Sequence, residues 1–197
     1  VDKLLICIPT VPQNREVLMN CLDSIGKNTT GDYVVVIGMN DFISFSYGCN
    51  QGMRLAQFDE DITHVSILND DVVVLKGWNE ALMNKIKQGY DAVGDMGTLR
   101  YGGRDKEHLT FWNIMFNADV IRKIGILDEG FKLGEWEDVD YCVRMKELNM
   151  RFAELDEKVC RHIGRYTTEK LQSIDESANR EFFMKKWQPT KWAEVFK

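Results

Sequence analysis

Residues 66–78 read Ser66-Ile67-Leu68-Asn69-Asp70-Asp71-Val72-Val73-Val74-Leu75-Lys76-Gly77-Trp78. Two adjacent carboxylates, Asp70 and Asp71, interrupt a run that otherwise reads as β-strand, with aliphatic or β-branched residues leading in and out. Carboxylates at the end of a buried strand are costly unless something cationic meets them. Oxygen ligands on a short turn suit a hard divalent cation that also holds a substrate diphosphate. The plainer alternative is a turn in which Asn69 and the two aspartates bond to nearby backbone.

Upstream, residues 3–8 (KLLICI) form a short apolar run closed by Pro9-Thr10, a pattern that predicts a buried strand feeding a loop. Residues 16–25 place Val17, Leu18, Cys21, Leu22 and Ile25 at helical spacing, with Asn14 as the expected cap. A turn at 28–32 leads to a second continuous apolar strand at 33–37. Strand, helix, strand at this spacing predicts a right-handed βαβ unit and a parallel sheet. A polar loop at 38–46, a helix at 47–57 and the strand before Asn69 follow. Beyond the Asp70-Asp71 turn, Trp78, Leu82, Met83 and Ile86 give a helix one apolar face. Strand ends therefore fall at Thr10, Gly38 and Asn69, and open α/β sheets bind ligands at such carboxyl-end loops.

Downstream, residues 94–110 (GDMGTLRYGGRDKEHLT) hold four glycines and six charged residues, which predicts a mobile loop, either plain surface or a lid. A strand at 111–116 and a short helix at 118–124 stopped by Gly125 come next. The second polar cluster is Gly134-Glu135-Trp136-Glu137-Asp138-Val139-Asp140, opening a helix with Val139, Cys142, Val143 and Leu148 on its apolar face. Acids are favoured in a first helical turn, and Asp140 can pair with Arg144 one turn on. Four acids in six residues nevertheless exceed what a cap requires. Asp138 is a suitable base if a hydroxyl lies within reach. A strand is expected at 151–155. Of the three histidines, His64 and His108 read as structural or surface residues, whereas His162 follows a short apolar run. Residues 167–186 predict a long amphipathic helix with Leu171, Ile174, Ala178 and Phe182 inside, and Trp187, Trp192, Val195 and Phe196 pack back on the body.

The 197 residues read as one domain, with a nucleotide-binding half over about 1–75, an acceptor and catalytic half over about 76–165 and a helical tail over 166–197. A net charge of −6 disfavours nucleic acid as a partner, since phosphate binding needs a basic stripe. Five scattered cysteines without a CxxC pair point to reduced thiols and a cytoplasmic protein. No apolar run approaches the roughly 20 residues of a membrane span, and no signal peptide is read. Oligomeric state is open.

In this order, Ile6-Cys7-Ile8-Pro9-Thr10, Asn50-Gln51-Gly52, Leu68-Asn69-Asp70-Asp71-Val72, residues 124–131 (IGILDEGF) and Glu137-Asp138-Val139-Asp140-Tyr141-Cys142-Val143-Arg144 resemble the GT-A glycosyltransferases. The likeness is to the family-2-like inverting group and runs from about Lys3 to about His162. The Gly134–Asp138 string also resembles the acceptor-binding segment of metazoan-type galactosyltransferases. The resemblance implies an α/β fold with a Rossmann-like, mixed and mainly parallel sheet flanked by helices. It further implies a metal-dependent transferase using a nucleotide-diphosphate sugar and a hydroxyl-bearing acceptor.

By the family pattern Asp71 and His162 would bind Mn²⁺ or Mg²⁺, and Asn69 occupies a position that is often Asp. Asp70 would bind the donor ribose or sugar, and Pro9, Thr10 and Asn50 would line the nucleotide pocket. Asp138, with Glu137 beside it, would take the acceptor proton; Trp136 and Glu135 would meet the sugar substrates. Gly38 departs from the pattern, standing where relatives carry an Asp that reads the base, so Asn40 or Asp41 are the substitutes. Two other classes share parts of this pattern. A nucleotidyltransferase would carry a Gly-rich basic signature near the first strand, which residues 9–15 (PTVPQNR) lack. A non-catalytic sugar- or nucleotide-binding module would not need Asp138.

Overall fold

The computed structural model describes residues 2–40, 44–101, 104–164 and 176–188. The opening apolar run becomes β1 (Lys3–Thr10), buried from Leu4 onward. It reads as a continuous rather than alternating run because both of its faces are covered. Leu5 and Cys7 enter a core shared with α2 (Phe45–Phe58), α4 (Ala118–Ile124) and α5 (Glu137–Glu147). Leu4, Ile6 and Ile8 enter the opposite core with α1 (Arg15–Asn28) and α3 (Trp78–Lys87).

β1 pairs in parallel with β2 (Asp32–Met39) on one side and β3 (His64–Leu68) on the other. β4 (Val72–Val74) follows the Asn69 turn, then come β5 (Ala92–Tyr101), β6 (Arg104–Asn117), β7 (Phe152–Glu154) and β8 (Cys160–His162). The main sheet has the order β2-β1-β3-β6-β5-β7, with β6 antiparallel to both of its neighbours. β4 and β8 form a separate antiparallel pair. The α/β class and the helix-flanked, mostly parallel sheet are as the sequence predicts.

Residues 94–110 are not a loop. Apart from residues 102 and 103, which lie outside the described set, they belong to the β5–β6 hairpin, whose register runs to Tyr101 opposite Arg104. Gly94 and Gly97 serve packing: a Cβ on Gly94 would stand 2.6 Å from the Asn113 carbonyl oxygen, and one on Gly97 2.8 Å from the Thr110 methyl. Close strand approach at Gly94 and Gly97 accounts for glycines that read, in sequence, as flexibility.

Two helix readings are also corrected. Leu148 lies just beyond α5 and is exposed, while Tyr141, Cys142 and Met145 extend that helix into the core. The last helix, α6, is described over Glu176–Trp187, so Leu171 and Ile174, like Trp192, Val195 and Phe196, lie outside the described residues. Its inward stripe is Asn179, Phe183 and Trp187 rather than Ala178 and Phe182, and it packs on Phe131, Trp136, Val139 and Val143. Trp187 does pack back on the body as expected.

Candidate active site

The carboxyl ends of β1, β2 and β3 meet on one side of the sheet, as parallel pairing requires. Pro9, next to last in β1, is buried opposite Gly38, and the Asn40 backbone N–H donates to the Thr10 carbonyl at 2.9 Å. A Cβ on Gly38 would fall 1.9 Å from the Gly48 carbonyl oxygen, so α2 crosses too close for any side chain there. That contact is the physical reason for the departure at Gly38. Asn40 is buried beside it, whereas Asp41 lies outside the described residues.

Asp70 is buried and its Oδ2 accepts from Thr10 Oγ1 at 2.6 Å and from Asn14 Nδ2 at 3.0 Å. Burial raises its pKa, with the two donors acting in the opposite direction. Asn14 stands at the N-terminus of α1 as expected but makes no side-chain cap. Its amide is spent on the carboxylate, which a buried charge needs more than a helix end does.

Asp71 is equally buried, and its Oδ2 accepts the Gly164 N–H at 3.1 Å. Its Oδ1 faces His162 Nε2 at 3.0 Å. The small β4–β8 sheet creates this meeting, because Val72 is the register partner of His162. Trp112 stacks on the His162 ring at 4.7 Å and 6°. Asn69 Nδ2 lies 3.3 Å from the same nitrogen.

A nitrogen lone pair and a carboxylate oxygen at this separation repel unless a proton or cation lies between them. Two adjacent ligands about 2.1 Å from one octahedral ion stand roughly 3 Å apart, the spacing found here. Asn69 Oδ1 and Asp71 Oδ1 are moreover buried, with no hydrogen-bond donor assigned to them among the described residues. Among the described residues no three His, Cys, Asp or Glu side chains converge on one point. The donor set is therefore one carboxylate, one imidazole and the Asn69 amide, with room for substrate phosphates, and that set fits Mn²⁺ or Mg²⁺.

Asp138 and Glu137 open α5. Glu137 is buried, its Oε2 has no hydrogen-bond partner among the described residues, and burial followed by the Asp138 charge pushes its pKa well up. Asp138 stays a fifth exposed, with its Oδ2 at 3.7 Å from His108 Nε2. Burial raises its pKa while His108 draws it down. His108 is thus a site residue that sequence reading misses: it stands alone on a hairpin strand, and no local spacing ties it to Asp138. His108 and Trp112 lie four residues apart on β6, so the acid cluster and the metal cluster are linked by at most about 14 Å of backbone.

Of three other predicted residues, two are buried and one is exposed. Asn50 is fully buried and does not line a nucleotide pocket; its amide donates to the Leu127 carbonyl and to Glu129 Oε1 and accepts from the Leu127 N–H. These bonds fix the 126–129 loop on α2. Trp136 is 5% exposed and lies against Phe183 at 5.2 Å, so the ring serves α6 docking rather than a sugar. Glu135 is exposed, with a left-handed backbone. Asp140 pairs with Arg144 at 3.0 Å as expected, and also accepts from Trp187 Nε1 at 2.8 Å.

All five thiols are buried, and burial raises Cys7 and Cys21 to about 12, which marks them as core residues rather than nucleophiles. No helix among the described residues is long and apolar enough to cross a membrane.

No protein-family model matches the sequence, and no curated protein matches it. Solved structures do match. Drosophila β1,4-galactosyltransferase 7, as a mutant in complex with manganese, UDP-Gal and xylobiose, has a TM-score of 0.63 at 12% identity, covering 90% of this chain and 78% of that one. The catalytic domain of that enzyme with xylobiose gives the same TM-score and coverage at 13% identity. The protein A197 from STIV gives a TM-score of 0.52 at 16% identity, covering 83% of this chain and 86% of that one. At such identities the likeness is one of architecture: the chain has the GT-A fold of these galactosyltransferases.

Proposed function

We propose that this chain is a metal-dependent, inverting glycosyltransferase that moves a sugar from a nucleotide-diphosphate sugar to an acceptor hydroxyl. The observation that carries the reading is the meeting of Asp71 Oδ1 and His162 Nε2 at 3.0 Å, next to buried oxygens that lack donors, at the carboxyl end of β3. One neighbour of like fold was solved with manganese, UDP-Gal and xylobiose and another with xylobiose, which supports a divalent cation, a nucleotide sugar and a saccharide acceptor here.

Asp71, His162 and Asn69 would hold the cation. A bound divalent ion supplies positive charge to the diphosphate leaving group as the C1–O bond breaks. Asp70 gives Oδ2 to Thr10 and Asn14, leaving Oδ1 for a donor ribose or sugar hydroxyl. Asn40 carries a buried oxygen without a partner among the described residues, beside the β1 and β2 ends, and is the residue for the nucleoside. Asp138 takes the proton of the acceptor hydroxyl as that oxygen attacks C1 from the face opposite the leaving diphosphate, which inverts the anomeric centre. Its raised pKa brings it toward the working pH of a general base, and His108 keeps the carboxylate form accessible. Five reduced, buried thiols support a cytoplasmic setting.

The test is a thermal-shift screen of UDP-, GDP- and dTDP-sugars, each with Mn²⁺, Mg²⁺ or EDTA. A donor at 100 times its dissociation constant stabilises by about 2.7 kcal/mol, several degrees for a chain of this size. A cation-dependent shift with one nucleotide class is expected. No shift with any donor in the presence of metal contradicts the reading.

A further inference from the structure

The backbone entering the acidic cluster is strained. Leu133, Glu135 and Trp136 all have left-handed φ values, of 61°, 79° and 74°. A non-glycine residue in that region is strained and persists only where the surroundings over-determine it. Leu133 is held from the α2 side, where its carbonyl accepts the Phe45 N–H at 2.7 Å, and the residues flanking it are held by α6. Asn179 Oδ1 accepts the Lys132 N–H at 2.9 Å, and Nδ2 donates to the carbonyls of Lys132, Gly134 and Glu135 at 2.8, 2.6 and 3.1 Å.

One and two turns further along α6 the same stripe continues onto the same motif. Phe183 packs on the Trp136 ring, and Trp187 Nε1 and Lys186 Nζ reach Asp140 Oδ1 at 2.8 and 2.7 Å. Phe183 and Trp187 supply apolar burial, which docks the helix. A 3%-exposed amide in that seam is costly unless its bonds are made, and all four fall on loop backbone.

We propose that Asn179 is a positioning residue: it clamps residues 132–135 in the left-handed course that aims Asp138 at the acceptor. The proposal rests on the reading of Asp138 as the base. It assigns α6 a place in the catalytic machinery without contact with any substrate.

The experiment compares Asn179→Ala, Asn179→Asp, Asp138→Asn and the Asn179→Ala/Asp138→Asn pair. Asn179→Asp keeps an acceptor for the Lys132 N–H and loses the amide donors, so it carries the test where the alanine variant fails to fold. The first readout needs no substrate: the ¹³C carboxyl titration of Asp138, identified as the signal missing from Asp138→Asn. In both Asn179 variants it moves down toward the ordinary carboxylate range as the loop opens to water.

The second readout is UDP release from UDP-galactose with Mn²⁺ and with xylobiose supplying the acceptor hydroxyl. Turnover falls roughly 10- to 100-fold in the Asn179 variants. Mn²⁺·UDP affinity stays within about twofold, because that cluster lies elsewhere, and no further loss appears when Asp138 is already Asn. An unchanged Asp138 titration in a folded Asn179 variant overturns the proposal. Wild-type turnover by Asp138→Asn instead overturns the base assignment, and the titration still decides whether Asn179 sets the loop.

Discussion

His162 meets Asp71 because Val72 and His162 are register partners in a sheet of two three-residue strands. A one-residue slip would turn the imidazole to the other face. Trp112 behind the ring and the Gly164 N–H on Asp71 Oδ2 fix the orientation of both partners.

His162→Ala therefore weakens Mn²⁺·UDP binding by roughly 10- to 100-fold or more, the range seen when metal sites lose a coordinating or orienting partner. Because the His162 side chain is a quarter exposed, the metal-free melting temperature changes little. Calorimetric titration with and without EDTA checks both statements.

Glu137 makes the acidic cluster pH-sensitive. Its folded-state pKa is raised by burial and then by the Asp138 charge, so above about pH 4.5 the folded chain holds a proton that the unfolded chain has released. Stability from this group is full below that pH and falls as pH rises toward the folded pKa. Glu137→Gln removes the loss. Its melting temperature exceeds wild type at pH 8 and converges with it at pH 4, each kcal/mol appearing as roughly 2–4 °C. A pH series of thermal melts on the two proteins reads this directly.

Gly38 cannot be returned to the Asp of the family pattern. Its Cβ would overlap the Gly48 carbonyl oxygen, and backbone on a packed helix cannot give way as a side-chain tip can. Even Gly38→Ala is expected to cost about 3 kcal/mol or more. Urea unfolding of that variant measures the cost, and nucleotide affinity in the surviving folded fraction shows whether α2 has moved.

The parts legible in the sequence are those whose physics is local. β1 and β2 announce themselves as unbroken apolar runs, α1 and α3 by their period, and Asp70-Asp71 by the oddity of carboxylates among valines. The helix and strand ends then follow, and with them the side of the sheet that carries the site. What was not legible depends on partners distant in sequence. Asn14 reads as a cap until Asp70 claims it, and Asn50 as a pocket residue until Leu127 and Glu129 do. Trp136 resembles a platform until Phe183 covers it, and His108 has no visible role until the β5–β6 hairpin brings it to Asp138. Side-chain chemistry shows what a residue can bond; only the fold decides which bond it makes.

The most direct measurement is nucleoside diphosphate release by wild type and Asp138→Asn, using the nucleotide sugar selected by the thermal-shift screen, with metal and acceptor present. The account predicts a fall of about 10²–10⁴ in kcat for Asp138→Asn, the range for a lost general base, with metal-dependent donor binding retained. Release at the wild-type rate would contradict it.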